Sequence, residues 1–469
     1  MSDPFELLAG QFVSSIALSV PAELRPMVFS STSGARDPDV CLLWHSGYRE
    51  KNKLKLLFSS FAKAAISCFR GMAKILLRYE PFGYALYGTI GDSVLVVTST
   101  CGYTTKDDGY KTDYVSTDWD DGLFVFGFIE KCGKNAEKVN SLSVKEKVWI
   151  TLSLAAKGVR AFFNIQGEVT DKTLLLWQWL SWILGLQWLH NYYLQKSLSE
   201  IVEKYGIKKI GCIHEMHSYS RMVWGVASKY NIKGYTVQHA AISRGKKWYF
   251  VFRGEIQSGV ALPDVFYVFE KRMSGLLEPY YKNTRFALGC SYRYSRWINV
   301  RPEPANDNGY YLFVGALADF DNSVLIESLD RLLSASDERI PLRLRLHPYA
   351  DLSRKMKQWV KAQAKRGRIE LSEGTPLSED IKGAKAVIGM STTVLEESLL
   401  LGRPVIQLTH PDYLEYMDLN DMSGATKLSF DKLSAHTLRD AIYCKVDSAG
   451  IRRRLGLDQP LLTYKQLFL

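Results

Sequence analysis

The pattern that most constrains this chain lies in its C-terminal third. Ala386, Val387 and Ile388 form a short apolar run, Gly389 follows, and three hydroxyl residues, Ser391, Thr392 and Thr393, open a helical pattern running to about Leu401. Gly402 stops that helix, and Pro404, Val405, Ile406 and Gln407 begin the next apolar run. Upstream, residues 342–346 read as another buried strand that ends in His347-Pro348, with helical spacing between the two. Short apolar runs alternating with helical segments predict parallel strands joined by crossover helices, hence an α/β fold. Such folds bind ligands outside the carboxyl ends of their strands. The Ser391-Thr392-Thr393 turn brings hydroxyls and the unpaired N–H groups of a helix start to that edge, where a phosphate is favoured; the competing reading is an ordinary helix cap. His347 places an imidazole on the same edge, and Glu397, one turn into the helix, is positioned to accept hydrogen bonds from a ribose. Residues 310–314 form a further apolar run, and the Gly315-Ala316-Leu317 turn after it would let backbone N–H groups approach a phosphate. Arg343, Arg345 and Arg354 add positive charge nearby.

With 469 residues the chain exceeds one ordinary core, and the motifs divide it in two. Residues 299–308 are rich in Pro, Asn and Asp, which places the boundary near residue 300. The reading is a Rossmann-like domain over 1–300, a second over 301–455, and a segment 456–469 that crosses back. A hydrophobic share of 46% with 23% charged residues is globular, and 12% aromatic residues argue against disorder. The net charge of +11 points to an anionic partner. Nucleic acid is disfavoured, because zinc-finger spacing, RNP-like aromatic motifs and long Lys/Arg runs are absent from the sequence. So are a P-loop and a G-x-G-x-x-G turn, which argues against P-loop NTPases and dinucleotide enzymes. Seven scattered cysteines with no C-x-x-C pair suit a reducing compartment, without disulfides or structural zinc. The start of the chain has no basic-then-apolar signal, so the expectation is a cytoplasmic protein. Residues 174–194 are rich in Trp and Leu and about bilayer length, but Gln178, Ser181, Gln187, His190 and Asn191 interrupt them; they read as a buried or interfacial helix.

Taken in order, residues 1–60 read as connections around an entry strand at 40–46, and residues 54–77 as a helix with Phe58, Phe61, Ala65, Phe69 and Leu76 along one side. Basic residues there, among them Lys51, Lys55, Lys63 and Arg70, form either a solvated face or a contact for an acidic acceptor or membrane lipid. A strand over 92–98 precedes two Asp-Gly turns, Asp108-Gly109 and Asp121-Gly122. Helices over 142–163 and 174–204 lead to a strand over 207–213 that delivers His214, Glu215 and His217. That spacing lacks a third metal ligand, and Glu215 is the candidate acid or base there. A strand over 234–239 ends in Gln238-His239, and another spans 262–269.

A strand-end His-Pro, then a Ser/Thr pair opening a helix whose acidic residue precedes Gly402-Arg403-Pro404-Val405, resembles the GT-B glycosyltransferases of bacterial surface-polysaccharide synthesis. Within them it is most similar to CMP-sugar transferases of the sialyl, polysialyl and Kdo type and to CDP-glycerol glycerophosphotransferases, over about residues 305–430. The resemblance implies two Rossmann-like domains facing a cleft, with a CMP-linked nucleotide-sugar donor in the C-terminal one, no further cofactor and no metal. It implies that His347-Pro348 and Ser391, Thr392 or Thr393 hold the donor phosphate, and that Glu397 holds the ribose. Asp120-Asp121-Gly122 matches the form of the acidic-acidic-Gly motif whose acid is the base in sialyltransferase-like enzymes, while the CDP-glycerol branch uses a histidine from the region of His239. Ala240 and Glu270 stand where the Gln-His-Gly pattern carries glycines. The implied reaction moves an acidic nonulosonate or Kdo-type sugar onto a capsule, lipopolysaccharide or other surface glycan, the acceptor being an oligosaccharide or lipid-linked glycan met at the inner face of the inner membrane. The alternatives are a CDP-glycerol- or UDP-sugar-dependent transferase or epimerase of related fold, or a non-catalytic polysaccharide-assembly protein.

Overall fold

Strand Val94–Thr98 (β2) reads Val-Leu-Val-Val-Thr, and its first four side chains are at most 3% exposed. A run that is apolar on both faces belongs inside a parallel sheet covered on each side, and that is where the computed structural model of the protein places it. The structure describes residues 4–30, 46–76, 83–87, 93–98, 124–129, 137–138, 142–212, 218–238, 241–246, 249–302, 308–317, 319–335, 340–348, 350, 352–413, 415–462 and 466–467. They fall into two units, one of Met1–His239, Lys247–Gly289 and Leu462–Leu469, the other of Ala240–Lys246 and Cys290–Leu461.

In the first unit, Gly83–Tyr87 (β1), β2, Phe124–Ile129 (β3), Glu137–Lys138 (β4), Lys209–Cys212 (β5), Lys233–Val237 (β6), Val265–Val268 (β7) and Arg285–Leu288 (β8) form one sheet in the order β4-β1-β3-β2-β5-β6-β7-β8. From β3 to β8 every pairing is parallel; β1 runs antiparallel to β3 and to β4. The parallel part is Rossmann-like, with its order reversing beside β2. Gln238, of the Gln-His pair, is 2% exposed and clamps β6 to β7: its N–H donates to Tyr267 O at 2.8 Å and its Oε1 accepts from Phe269 N–H at 2.9 Å. Tyr267 Oη in turn donates to Leu467 O at 2.7 Å, which fastens the end of the chain to this unit.

The start of the chain, expected to be connections, is helical. Pro4–Ser19 (α1) and Arg25–Ser30 (α2) are helices, and Phe5, Phe12, Ile16, Met27 and Val28 are buried. The strand expected at 40–46 falls outside the described residues, except that Ser46 opens helix Ser46–Leu76 (α3). Val144–Asn164 (α4) is capped by a Ser143/Glu146 capping box. The single helix expected over 174–204 is two, Val169–Leu184 (α5) and Gln187–Tyr205 (α6), broken at Gly185 and at Leu186, whose φ is 57°. The break has a packing cause. α3 lies against α5 through small residues, with Ser67 and Ser181 hydroxyls 3.0 Å apart and Lys74 Nζ donating to Gly185 O at 3.1 Å. A Cβ on Gly71 would stand 1.8 Å from Leu184 O, so only glycine permits the approach. Among the described residues no helix is long and apolar enough to cross a membrane. Ser218–Tyr230 (α7), Arg253–Gln257 (α8) and Lys271–Leu277 (α9) complete this unit's helices.

The second unit is all parallel. Tyr310–Val314 (β9), Leu342–Arg345 (β10), Glu370–Leu371 (β11), Ala384–Gly389 (β12), Val405–Thr409 (β13) and Ala425–Ser429 (β14) lie in the order β11-β10-β9-β12-β13-β14. Counted within the unit this is 3-2-1-4-5-6, the doubly wound Rossmann order. Asp319–Ala335 (α10), Arg354–Lys365 (α11), Leu377–Gly383 (α12), Val394–Leu400 (α13), Ala435–Ile442 (α14) and Ser448–Arg454 (α15) flank it. Side chains of α10, α11 and α14 share one core with Phe313, Leu344, Ile388 and Ile406 of the sheet. The chain is thus an α/β protein with two Rossmann-like units. Gly71→Val, which forces a branched side chain into the α3–α5 contact, should lower stability by about 3 kcal/mol or more, measured as a fall in the midpoint of thermal unfolding against the parent protein.

Candidate functional site

In a 3-2-1-4-5-6 sheet the chain winds outward from β9 through β10 and β11, then returns to β9's other side as β12. The loops after β9 and β12 therefore diverge and leave a crevice at the carboxyl edge. His347 follows β10 and is half-buried, with its carbonyl accepting Ala350 N–H at 3.0 Å; Pro348 is exposed in the same turn. Ser391, Thr392 and Thr393 follow β12, and His410 follows β13. All four turns lie on one edge, because all the strands run one way. The three proposed acid-base residues, Asp121, Glu215 and His239, lie outside the described residues, as do His214 and His217.

Two glycines set the spacing of the crevice. A Cβ on Gly389 would stand 2.9 Å from Val314 Cγ2, 3.0 Å from Thr392 Cγ2 and 3.2 Å from Val314 O. A Cβ on Gly315 would stand 2.8 Å from Asn322 Oδ1. Asn322 is 1% exposed and grips the β9 turn from α10, accepting from Ala316 N–H at 3.0 Å and donating through Nδ2 to Ala316 O at 2.9 Å. Gly315 N–H donates to Arg345 O at 2.8 Å. The amides of Gly315 and Ala316, expected to meet a phosphate, are thus engaged within the protein; the glycine is needed for closeness to Asn322.

Arg345 is likewise committed. Asp380 on α12, with a fully buried carboxylate, faces both β10 arginines: Arg343 Nη1 at 3.1 Å from Oδ1 and Arg345 Nη1 at 2.5 Å from Oδ2. Arg345 also donates to Thr375 O at 2.7 Å and to Ser372 Oγ at 3.2 Å, while Ser372 Oγ donates to Asp380. Tyr310 Oη accepts from Arg343 at 2.7 Å and donates to Asp380 O at 2.9 Å; burial pushes its phenol up to about 12, so it stays a donor. The alternation of Arg343 and Arg345 along β10 puts both on one face, and that face meets α12 instead of a ligand.

The hydroxyl turn is held from two sides. Thr393 is the N-cap of α13 but makes no capping bond; its Oγ1 accepts from Arg293 Nη2 at 2.7 Å. Thr392 is 7% exposed, and its Oγ1 accepts weakly from Val394 N–H at 3.4 Å. Ser391 Oγ accepts from Tyr416 N–H at 3.3 Å. Tyr294 Oη donates to the Glu396 carboxylate, both groups fully buried; burial raises the Glu396 carboxyl and raises the Tyr294 phenol well above its usual range. Glu397 is 2% exposed, so protein covers the residue expected to meet a ribose.

Sequence reasoning missed Asn322, Arg293, Gln407 and the aromatic residues of the loop after β13. Gln407 is 1% exposed and pins that loop, donating through Nε2 to Met417 O at 2.9 Å and accepting from Leu419 N–H at 3.4 Å. Phe320 at the start of α10 stacks on Tyr413 at 5.0 Å and meets Tyr416 edge-on at 5.8 Å; His410 lies 4.6 Å from Tyr413 and 4.4 Å from Phe430. A polar residue in an otherwise apolar strand, as Gln407 is, was the one sequence signal on offer. Asp321, next to Asn322, is 3% exposed, its Oδ1 has no hydrogen-bond partner, and burial pushes its carboxyl up to about 8.

No family model matches the chain, and no curated protein matches it. Solved structures similar to it include the UDP-GlcNAc 2-epimerase from Methanocaldococcus jannaschii, with 12% identity, 55% of this chain and 75% of that one covered, and a TM-score of 0.38. Others are the lipopolysaccharide outer core galactosyltransferase WaaB (12%, 58% and 80%, 0.35) and CalG4, the calicheamicin glycosyltransferase (13%, 59% and 74%, 0.36). The α/β assignment stands on the strand order of the two sheets and not on these likenesses.

Asp380→Ala leaves two arginines without their shared counter-ion and should cost about 3–5 kcal/mol, measured by denaturant or thermal unfolding. Asp321 has the opposite sense. Its carboxyl is raised in the folded state, so the unfolded chain releases the proton near the ordinary value of 3.8 while the folded one holds it to about 8, and stability falls as pH rises through that window. Asp321→Asn should therefore melt several degrees above the parent near neutral pH, with the gain fading as pH falls to about 4.

Proposed function

We propose that the protein is a glycosyltransferase that holds a nucleotide-activated sugar at the carboxyl edge of the second unit's sheet. One observation carries this: the strand order reverses between β9 and β12, where doubly wound sheets take ligands, and the turns bearing His347 and Ser391, Thr392 and Thr393 follow parallel strands at that edge. In the reaction an acceptor hydroxyl attacks the anomeric carbon, the bond from that carbon to the nucleotide phosphate breaks, and the phosphate leaves with the electron pair. His347 and the hydroxyl turn stabilise the charge that develops on the leaving phosphate, an effect that fixed donors supply without reorganisation. Asp121, Glu215 or His239 is the candidate base that takes the acceptor proton. The cradle of small polar groups suits a nucleoside monophosphate leaving group, and with the sequence resemblance this favours a CMP-linked acidic sugar as donor and a bacterial surface glycan as acceptor. No metal is assigned a part in this scheme. The net charge of +11 suits an acidic donor and acceptor.

Incubation with CMP-, CDP- and UDP-activated donors, following released nucleotide, tests the proposal. His347→Ala should lower release by about 10²-fold with the unfolding midpoint unchanged. Conversion of a UDP-sugar to its epimer without nucleotide release would identify an epimerase instead. A parent protein inert toward every donor would mark a non-catalytic assembly protein.

A further inference from the structure

Residues 352–369 hold seven basic residues and no acidic one, and α11 carries five of them, Arg354, Lys355, Lys357, Lys361 and Lys365, all exposed. Arg354, Lys357, Lys361 and Lys365 fall three, four and four residues apart, which sets them within about 80° of one another around the helix and spreads them over ~16 Å of its length. The opposite face is packed. Val360 and Gln363 are buried, and Trp359, two positions from both Lys357 and Lys361 and so about 200° away, donates through Nε1 to Asp330 of α10 at 2.8 Å. Asp330 thus answers the far side of the helix and not the stripe. Glu370, the next acid along the chain, is taken by Arg343 at 2.6 Å. Among the described residues, Arg354, Lys361 and Lys365 have no acidic partner. Folding alone does not ask for this arrangement. Lys357 with Lys361, and Lys361 with Lys365, are like charges at i,i+4, a spacing that weakens a helix. Arg354 and Lys355 stand in the first turn, where the helix dipole favours anions, whereas α10, which starts from the same sheet edge, has Asp319 and Asp321 there.

We propose that this stripe of α11 is a docking surface for an acidic polysaccharide. A linear polyanion laid along the helix brings a negative charge to each cation in turn, and so relieves both the like-charge repulsion and the unfavourable contact with the dipole. A bilayer is disfavoured, because a helix that binds in the interface needs an apolar side to bury among acyl chains. The apolar residues of α11, Met356, Trp359 and Val360, already face the core of the second unit, and none of them is exposed. Nucleic acid would be gripped by its phosphates alone, since the stripe offers no aromatic ring on which a base could stack. Two-fold pairing with a second copy would set the stripe against itself. β10 runs to the carboxyl edge of the sheet and α11 returns from it, so the stripe begins at the edge that bears His347 and leads away from it. A glycan held there is gripped along its length, apart from the turn where transfer is placed, and its binding does not depend on that reaction.

Binding of the full chain to immobilised polygalacturonate, with neutral dextran as the comparison, tests the assignment. The parent should bind polygalacturonate and not dextran at about 0.05 M salt, and should release as salt rises toward about 0.5 M. Lys357→Gln, Lys361→Gln and Lys365→Gln combined should weaken binding at least ~10-fold, with the unfolding midpoint unchanged or raised, because like-charge neighbours have been removed. Lys55→Gln, Arg70→Gln and Lys145→Gln combined, which takes the same charge from exposed positions of α3 and α4, should leave binding intact. The assignment is overturned if the parent ignores polygalacturonate, if the α11 variant binds as well as the parent, or if the α3 and α4 substitutions weaken binding equally, which would make net charge the whole cause. It is also overturned if single-stranded DNA, or phosphatidylcholine vesicles with about 30% phosphatidylglycerol, bind the parent more tightly than polygalacturonate does and lose that binding in the α11 variant. None of these readouts uses donor turnover, so failure here leaves the transferase proposal standing, and the reverse.

Discussion

The second unit depends on how closely β12 runs beside β9. Parallel pairing of Ile388 with Phe313 brings the next residue, Gly389, so near Val314 that a methyl group there would press on both its side chain and its carbonyl. The strand order reverses at this pair, and the reversal sends the two following helices apart. α10 packs into the core shared with α14, whereas α13 packs against α15. The starting turns of those helices lie on either side of the point where the strand order reverses.

Much of this was legible. β9, β12 and β13 were readable as apolar runs, β10 as the strand before His347-Pro348, and Gly402, with φ of 79°, as the stop after α13, because each signal acts over a few neighbouring residues. The polar residues around them were harder to read. Arg345 lies at a strand end beside His347, just where a phosphate ligand would be sought, yet its partner Asp380 comes 35 residues later, from α12. Gly315 was readable as a special position but for the wrong reason, since the Asn322 amide that crowds it lies in the following helix. The N-terminal helices were missed because the apolar residues in 4–30 include Val and Ile, which suit either element, and their burial depends on distant partners such as Gly254, whose Cβ would stand 2.4 Å from Gly10 O. The α5–α6 break likewise depends on α3, more than a hundred residues upstream in sequence terms. Local sequence sets the elements; which polar group is committed to architecture is decided by chain segments that meet only on folding.

These commitments also divide the sheet edge by kind of charge. Beneath β10, Asp380 and Glu370 together answer Arg343 and Arg345, so the positive charge concentrated by the sequence there is neutralised within the protein. Asp380 is what keeps those guanidiniums off the crevice. In the first unit α3 carries seven basic residues and one acidic one, and there too other helices answer part of the charge, Lys53 pairing with Glu168 at 2.8 Å and Arg49 with Asp171 at 3.9 Å. The formal +11 of the whole chain therefore does not measure the field at either location. Charge read from composition indicates that an anion is a suitable partner; only the pairing pattern shows which surface retains the charge.

The hydroxyl turn after β12 depends on residues on either side of it in the chain. Arg293 reaches Thr393 from the segment that opens the second unit, and Tyr416 reaches Ser391 from the loop after β13. That loop is fastened in its own right, through Gln407 to Met417 O and Leu419 N–H and through Ser243 Oγ, which donates to Glu415 O at 2.9 Å. A ligand that drew on Ser391 or Thr393 would have to share or displace those bonds, the neutral one from Tyr416 worth about 1 kcal/mol net and the charged one from Arg293 about 1.5–3 kcal/mol. The energy is small enough for a phosphate to exchange them for charge-assisted bonds of its own. Such an exchange would bear directly on Arg293 and on the Tyr416 amide, the two groups that reach the turn from elsewhere in the unit.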